Sequence, residues 1–119
     1  MPVAAFIAID HVQRAMPEGG EPRAREFCSG ILGMTEIPKP LELAKRGAKA
    51  VAYTFILGSK LTSRPAKKAH PALRCRDYPA LLGRLRRAGI EITEPNDIPG
   101  VNRCHVHDPF GNRIEIVSD

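Results

Sequence analysis

Four histidines, three cysteines and one run of alternating cationic residues are where this sequence could do chemistry. Arg103, His105 and His107 alternate along a stretch that reads as a strand, so their side chains leave one face. An arginine there can bind an anionic group, and an imidazole that titrates near neutral pH can pass a proton or bind a metal ion. The same alternation also describes the solvated side of an antiparallel sheet, and the residues alone leave both readings open. His11 and His70 stand 59 positions apart, at the same place in two similar stretches. A lone histidine in an apolar strand is more often a hydrogen-bonded core residue, but two at a shared spacing ask for a common cause. Cys28, Cys75 and Cys104 form no CxxC pair and cannot all pair within one chain. Buried structural thiols in a reduced, cytoplasmic protein are expected.

Elements must hold these residues in place. Residues 5–14 are rich in apolar and β-branched side chains and read as a strand, followed by a loop at Met16-Pro17-Glu18-Gly19-Gly20. Residues 21–32 put Ala24, Phe27, Cys28, Ile31 and Leu32 on one helical face, with Gly33 as the stop. Residues 34–37 read as a short strand closed by Pro38 and Pro40, residues 48–58 as strand, and 59–68 as a polar, basic linker. The order then recurs. Residues 69–75 read as a strand, Asp77 as the N-cap of a helix with Pro79 in its first turn, and Leu81, Leu82 and Leu85 as its apolar face before Gly89. A strand at 90–94 ends at Pro95, and strands at 101–107 and 113–117 flank the turn Asp108-Pro109-Phe110-Gly111-Asn112.

The helix stops lie 56 apart, while Phe55-Ile56-Leu57-Gly58-Ser59 matches Ile114-Glu115-Ile116-Val117-Ser118 at 59. Two copies of strand–helix–three strands are the simplest account. One stretch resists it. Between Gly47 and Gly58 no Gly, Pro, Asn or Asp is available to turn a hairpin, so that strand pair is shortened or its turn uses unusual residues.

At 119 residues and 43% apolar content the chain fits a single domain with one modest core. Its charge of +5 is spread out, with small clusters at 64–68 and 84–87. Nucleic-acid-binding signatures are absent, so no nucleic-acid partner is expected, and the charge reads as a solvated basic surface or as a preference for an anionic small molecule. The apolar run at 3–9 is short, lacks a basic leader and stops at Asp10, which reads as a strand with no role at a membrane.

Ile9-Asp10-His11-Val12, Ala69-His70-Pro71-Ala72-Leu73 and the run from Asp108 to Glu115 resemble the vicinal-oxygen-chelate superfamily. That group includes glyoxalase I, bleomycin-resistance proteins, extradiol dioxygenases and fosfomycin-resistance enzymes. The resemblance covers roughly residues 5–117, and its most specific piece is the Asp-Pro-x-Gly turn with Glu115 four residues beyond Gly111. It implies an α+β fold in one domain (residues 1–119): two βαβββ modules, about 4–62 and 67–118, forming a curved mixed sheet around a cleft that holds a divalent metal. Carried over by position, the ligands fall at His11, Ile56, His70 and Glu115. Ile56 cannot ligate and is left to line the substrate site. Glyoxalase I has a carboxylate base there, so the remaining set of His11, His70 and Glu115 resembles the three-ligand sites of the fosfomycin-modifying and extradiol branches.

Two imidazoles and a carboxylate suit Mn, Fe, Ni, Co or Zn and leave positions open for two substrate oxygens. If Glu115 faces the cleft, Arg103 and His105 on the neighbouring strand face it too. Arg103 would then bind an anionic part of the substrate, and His105 would be the catalytic proton donor or an additional ligand. The resemblance also implies a homodimer, because many members complete the cleft across a subunit interface. Two functions follow. The intact His11, His70 and Glu115 favour a metal-dependent enzyme on a small oxygen-bearing substrate, whether lyase, isomerase, transferase or oxygenase. Ile56 favours a metal-free protein that sequesters a small molecule, as the bleomycin-resistance branch does.

Overall fold

Apolar residues at alternate strand positions decide which face of each sheet is covered, and both halves of this chain obey that rule. The computed structural model describes residues 5, 8–9, 11–38, 50–53, 55–60, 64–95 and 97–119. β1 (Gln13–Pro17), β2 (Ala50–Ala52) and β3 (Ile56–Lys60) form one sheet in the order β1-β3-β2. β4 (Ala72–Cys75), β5 (Arg103–His107) and β6 (Arg113–Ser118) form the other in the order β4-β6-β5. In each, the first strand runs parallel to the last, and the last pairs antiparallel with the strand before it. One antiparallel bridge, Ile37 to Ala52 in the first half and Thr93 to His105 in the second, stands for the strand after each helix. Each half is therefore βαβββ, with its second strand one bridge long.

The ladders give the repeat its register. Gln13 faces Ile56 where Ala72 faces Glu115, so first and last strands both shift by 59. Ala52 faces Ile56 where His105 faces Glu115, so the third strands shift by 53.

α1 (Glu21–Arg25) starts with Pro22 in its first turn, where the missing N–H costs no helical bond. It continues as a π-helical segment, Glu26–Ile31, closed by Leu32 N donating to Phe27 O at 2.9 Å. α2 (Tyr78–Arg87) is capped by Asp77, whose side chain accepts from Ala80 N at 3.2 Å. Both end at glycines with positive φ, Gly33 at 72° and Gly89 at 75°, a conformation that Cβ disfavours. Met16, Phe27, Val51 and Leu57 join Leu81, Leu82, Leu85, Val106, Ile114 and Ile116 in one apolar cluster.

A turn joins the halves. Asp108 Oδ1 accepts from Phe110 N at 2.9 Å and from Asn112 N at 2.8 Å. Asn112 Nδ2 donates to Asp108 Oδ2 and to Ala15 O on β1, both at 2.8 Å. Arg14 Nη1 also donates to Arg113 O. The resulting body is flat, 51 × 47 × 25 Å.

Several boundaries differ from the sequence reading. The first strand begins at Gln13, later than the 5–14 span, and Met16, read as loop, is a fully buried strand residue because the core needs its side chain. Residues 6, 7 and 10 of that span lie outside the described residues, as do Pro40 and residues 48, 49, 54 and 61–63. The strands at 34–37 and 90–94 shrink to single bridges, and the strand at 69–75 starts at Ala72. The run 48–58 divides into β2 and β3 around a turn in which Tyr53 N donates to Phe55 O at 2.7 Å. The turn of that pair is made without glycine. No helix among the described residues is long and apolar enough to cross a membrane.

Candidate metal centre

The second sheet sorts its residues by parity. Cys104, Val106, Ile114 and Ile116 are buried in the core, so Arg103, His105, Arg113 and Glu115 leave the opposite face. His70 lies just before β4, whose Ala72 faces Glu115.

Four side chains meet there. Glu115 Oε1 accepts from His105 Nε2 at 2.9 Å and from Arg103 Nη1 at 2.9 Å, and His70 Nε2 lies 3.1 Å from the same oxygen. The two imidazoles stand edge to face with centroids 5.3 Å apart. His70 Nδ1 is 2.7 Å from Lys68 O, and Arg113 Nη2 is 2.9 Å from His105 Nδ1. Arg103 Nη2 reaches Asp97 Oδ1 at 2.6 Å, so both ends of the guanidinium meet carboxylates. Burial alone would push the Glu115 carboxyl up; the hydrogen bonds from His105 and His70 and the charge of Arg103 outweigh it and hold the group below the usual carboxylate range. Glu115 is thus an anion in a nest of donors.

The ligand atoms of His70, His105 and Glu115 all lie within 4.8 Å of one another, close enough to surround one ion. The donor set, imidazole with carboxylate, is that of divalent transition metals. His70 also has its remote nitrogen on a carbonyl, as metal-binding histidines usually do. The structure thus brings His70, Glu115, His105 and Arg103 to one place.

Within a single chain His11 is not a member of that group. It is exposed, just before β1 in the first half, where the position facing β1 in register with Glu115 is Ile56. Arg113 and Asp97 belong to the network and were not singled out in the sequence, although Arg113 alternates with Glu115 on β6 and so shares its face. Two cysteines are structural. Burial pushes the Cys28 thiol up to about 12 and raises that of Cys104, which favours the inert thiol at both.

The fold matches solved structures over nearly its whole length. A glyoxalase family protein from Bacillus anthracis is 39% identical, with 99% of each chain covered and a TM-score of 0.89. The genomically encoded fosfomycin resistance protein FosX from Listeria monocytogenes is 12% identical, with 96% of this chain and 94% of that chain covered and a TM-score of 0.74. TnmS3, an antibiotic binding protein from Streptomyces sp. CB03234, is 22% identical, with 95% and 98% covered and a TM-score of 0.65. The last two share the fold alone. No family profile matches the chain, and no curated protein sequence matches it.

Proposed function

Because the chain belongs to the glyoxalase family of the vicinal-oxygen-chelate superfamily, we propose that it is a divalent-metal-dependent enzyme acting on a small, anionic, oxygen-bearing substrate, and that it works as a cytoplasmic homodimer. The observation that carries this reading is the pair His70 and Glu115. His70 Nδ1 lies 2.7 Å from Lys68 O while its Nε2 stands 3.1 Å from Glu115 Oε1, so an imidazole nitrogen and a carboxylate oxygen are placed where one cation could take both.

His70 and Glu115 would hold the ion, with His11 supplied by a second copy of the chain. In support, Ile9 is 84% exposed and Val12 is 38% exposed, which leaves apolar surface on both sides of His11. When bound, the metal is a Lewis acid that stabilises charge developing on a substrate oxygen. Arg103 is the anion-binding group, with the exposed Asp97 as a stand-in that an anionic substrate displaces. Ile56, half-buried, lines the site as an apolar wall.

Metal analysis of protein purified without chelator tests the proposal. About one ion per chain is expected for wild type, with none for His70→Ala or His11→Ala. Mixing those two variants should restore up to one site per mixed dimer, because each copy then lends the residue the other lacks. Wild type that takes up no Co(II) or Zn(II) at any excess overturns the reading. A metal-free binding protein then takes its place, favoured by Ile56 at a would-be ligand position and by Arg103 and His105 already bonded to Glu115.

A further inference from the structure

Two arginines leave the same face of the second sheet, and they are engaged differently. Arg103 meets a carboxylate at each end, Glu115 at 2.9 Å and Asp97 at 2.6 Å, and its Nε is buried without a partner. Arg113 stands two positions from Glu115 along β6, and among the described residues no carboxylate pairs with it. Its Nη2 lies 2.9 Å from His105 Nδ1 and 3.4 Å from His105 Nε2. An in-plane approach to one ring nitrogen would leave the other much farther off. The guanidinium therefore stands over the ring face, as planar arginine forks do on flat rings. The other N–H groups of Arg113 make no hydrogen bond among the described residues, and none of them is fully buried.

From this we infer that Arg113 is a specificity-determining residue that receives an oxyanion of the substrate, a carboxylate or a phosphate-type group, beside Glu115. The inference rests on the proposed function only in calling that anion part of a substrate. Arginines nearer the solvent have found an acid: Arg25 has Glu36, and Arg86 has Glu94. Arg113 is half-buried and has none, so its charge is in surplus on the site face. A cation partly withdrawn from water attracts an anion more strongly than an exposed one, because less solvent screens it. Glu115, the acid beside it on β6, is already bonded to Arg103, His105 and His70. The His105 ring covers one side of the guanidinium, and the free N–H edge can give two parallel bonds to two oxygens. Arg103 takes an anion only after Asp97 leaves, whereas Arg113 has no acid to give up. The anion reaches Arg113 first, and a substrate that also displaces Asp97 is held by both arginines.

Inorganic phosphate, titrated into the nitrogen-labelled full chain, is the probe, with acetate as a second arm. The Nε–H signal of Arg113, identified by its loss in Arg113→Met, should shift and saturate, and that of Arg103 should move less. By calorimetry R113M should bind phosphate about 10–100-fold more weakly than wild type. R113K should fall between them, since lysine keeps the charge but not the fork, and it decides the matter if R113M does not fold. A response to both probes marks a site that accepts carboxylates, and a response to phosphate alone restricts it to phosphate-type groups. An Arg113 signal that stays still, or an R113M that binds phosphate as tightly as wild type, overturns the inference. Co(II) uptake by wild type is measured separately. Phosphate bound at Arg113 without Co(II) uptake overturns the metal reading alone, and the reverse overturns this inference alone.

Discussion

The two sheets share one topology and one register, and they differ almost wholly on one face. On the covered side, Val51 corresponds to Cys104 and Leu57 to Ile116, and all four are buried. On the other side, Ala50 corresponds to Arg103, Ala52 to His105, Ile56 to Glu115 and Gly58 to Val117. The second half carries a partly buried ionic network where the first carries small and apolar residues. At Gly58 an added Cβ would sit 2.5 Å from Gln13 Nε2, so the Gln13 side chain lies over the bare backbone. A duplicated frame thus needs its core face in both copies and its chemistry in one. On that face the middle of the first sheet offers no side-chain ligand atom, since Ala50, Ala52, Ile56 and Gly58 carry none.

Matched substitutions can break that comparison. Leu57→Ala and Ile116→Ala sit at corresponding, almost fully buried positions, and each should cost about 2–5 kcal/mol in urea unfolding. Because the halves share one apolar cluster, either change should lower a single transition. Two separated transitions would show that the halves unfold independently. A smaller effect is expected at the turn between them. Asn112→Ala leaves Ala15 O without its side-chain donor and Asp108 with fewer partners, for a loss of about 1–3 kcal/mol on the same measurement. A neutral result would mean that packing alone joins the halves.

The smallest effect is in pH. Burial raises the Asp108 carboxyl above 3.8, even though hydrogen bonds from Asn112 and Phe110 and the charge of Arg14 oppose the shift. A folded pKa above the unfolded one means that protonation favours the folded state. The stability contributed by Asp108 is full below the unfolded value and is lost as pH rises through the folded one. Wild type minus Asp108→Asn should therefore decline in stability from about pH 3.5 upward before levelling off. A difference that rises over that range would show that the hydrogen bonds outweigh burial.

Much of the frame was legible in the chain. The 59-residue spacing of His11 and His70 continues into the ladders as Gln13–Ile56 and Ala72–Glu115, because strand pairing conserves register. Gly33 and Gly89 announced both helix ends, since a positive φ leaves few alternatives. Asp77 announced its cap. The π-helical turn at Glu26–Ile31 carries no sequence mark that propensity can read, and the start of β1 was misplaced because Met16 and Pro17 look like loop until the core claims Met16. In the site, alternation alone put Arg103 and His105 on a common face. The surroundings of the two histidines were hidden, because only the fold sets Lys68 O beside one ring and Arg113 beside the other.

The strand order has a consequence for how the molecule is made. In each half the first strand ladders with the last, so β1 waits for β3, and β4 waits for β6, while a helix, a bridge and a hairpin strand are synthesised between them. The hairpin β5–β6 can close early from local contacts, but β4 adds its parallel edge only when a long loop closes. His70 arrives with that edge. On the ribosome the carboxylate nest of Arg103, His105 and Glu115 would be assembled before the imidazole of His70 joins it, brought in by the slowest pairing in its half.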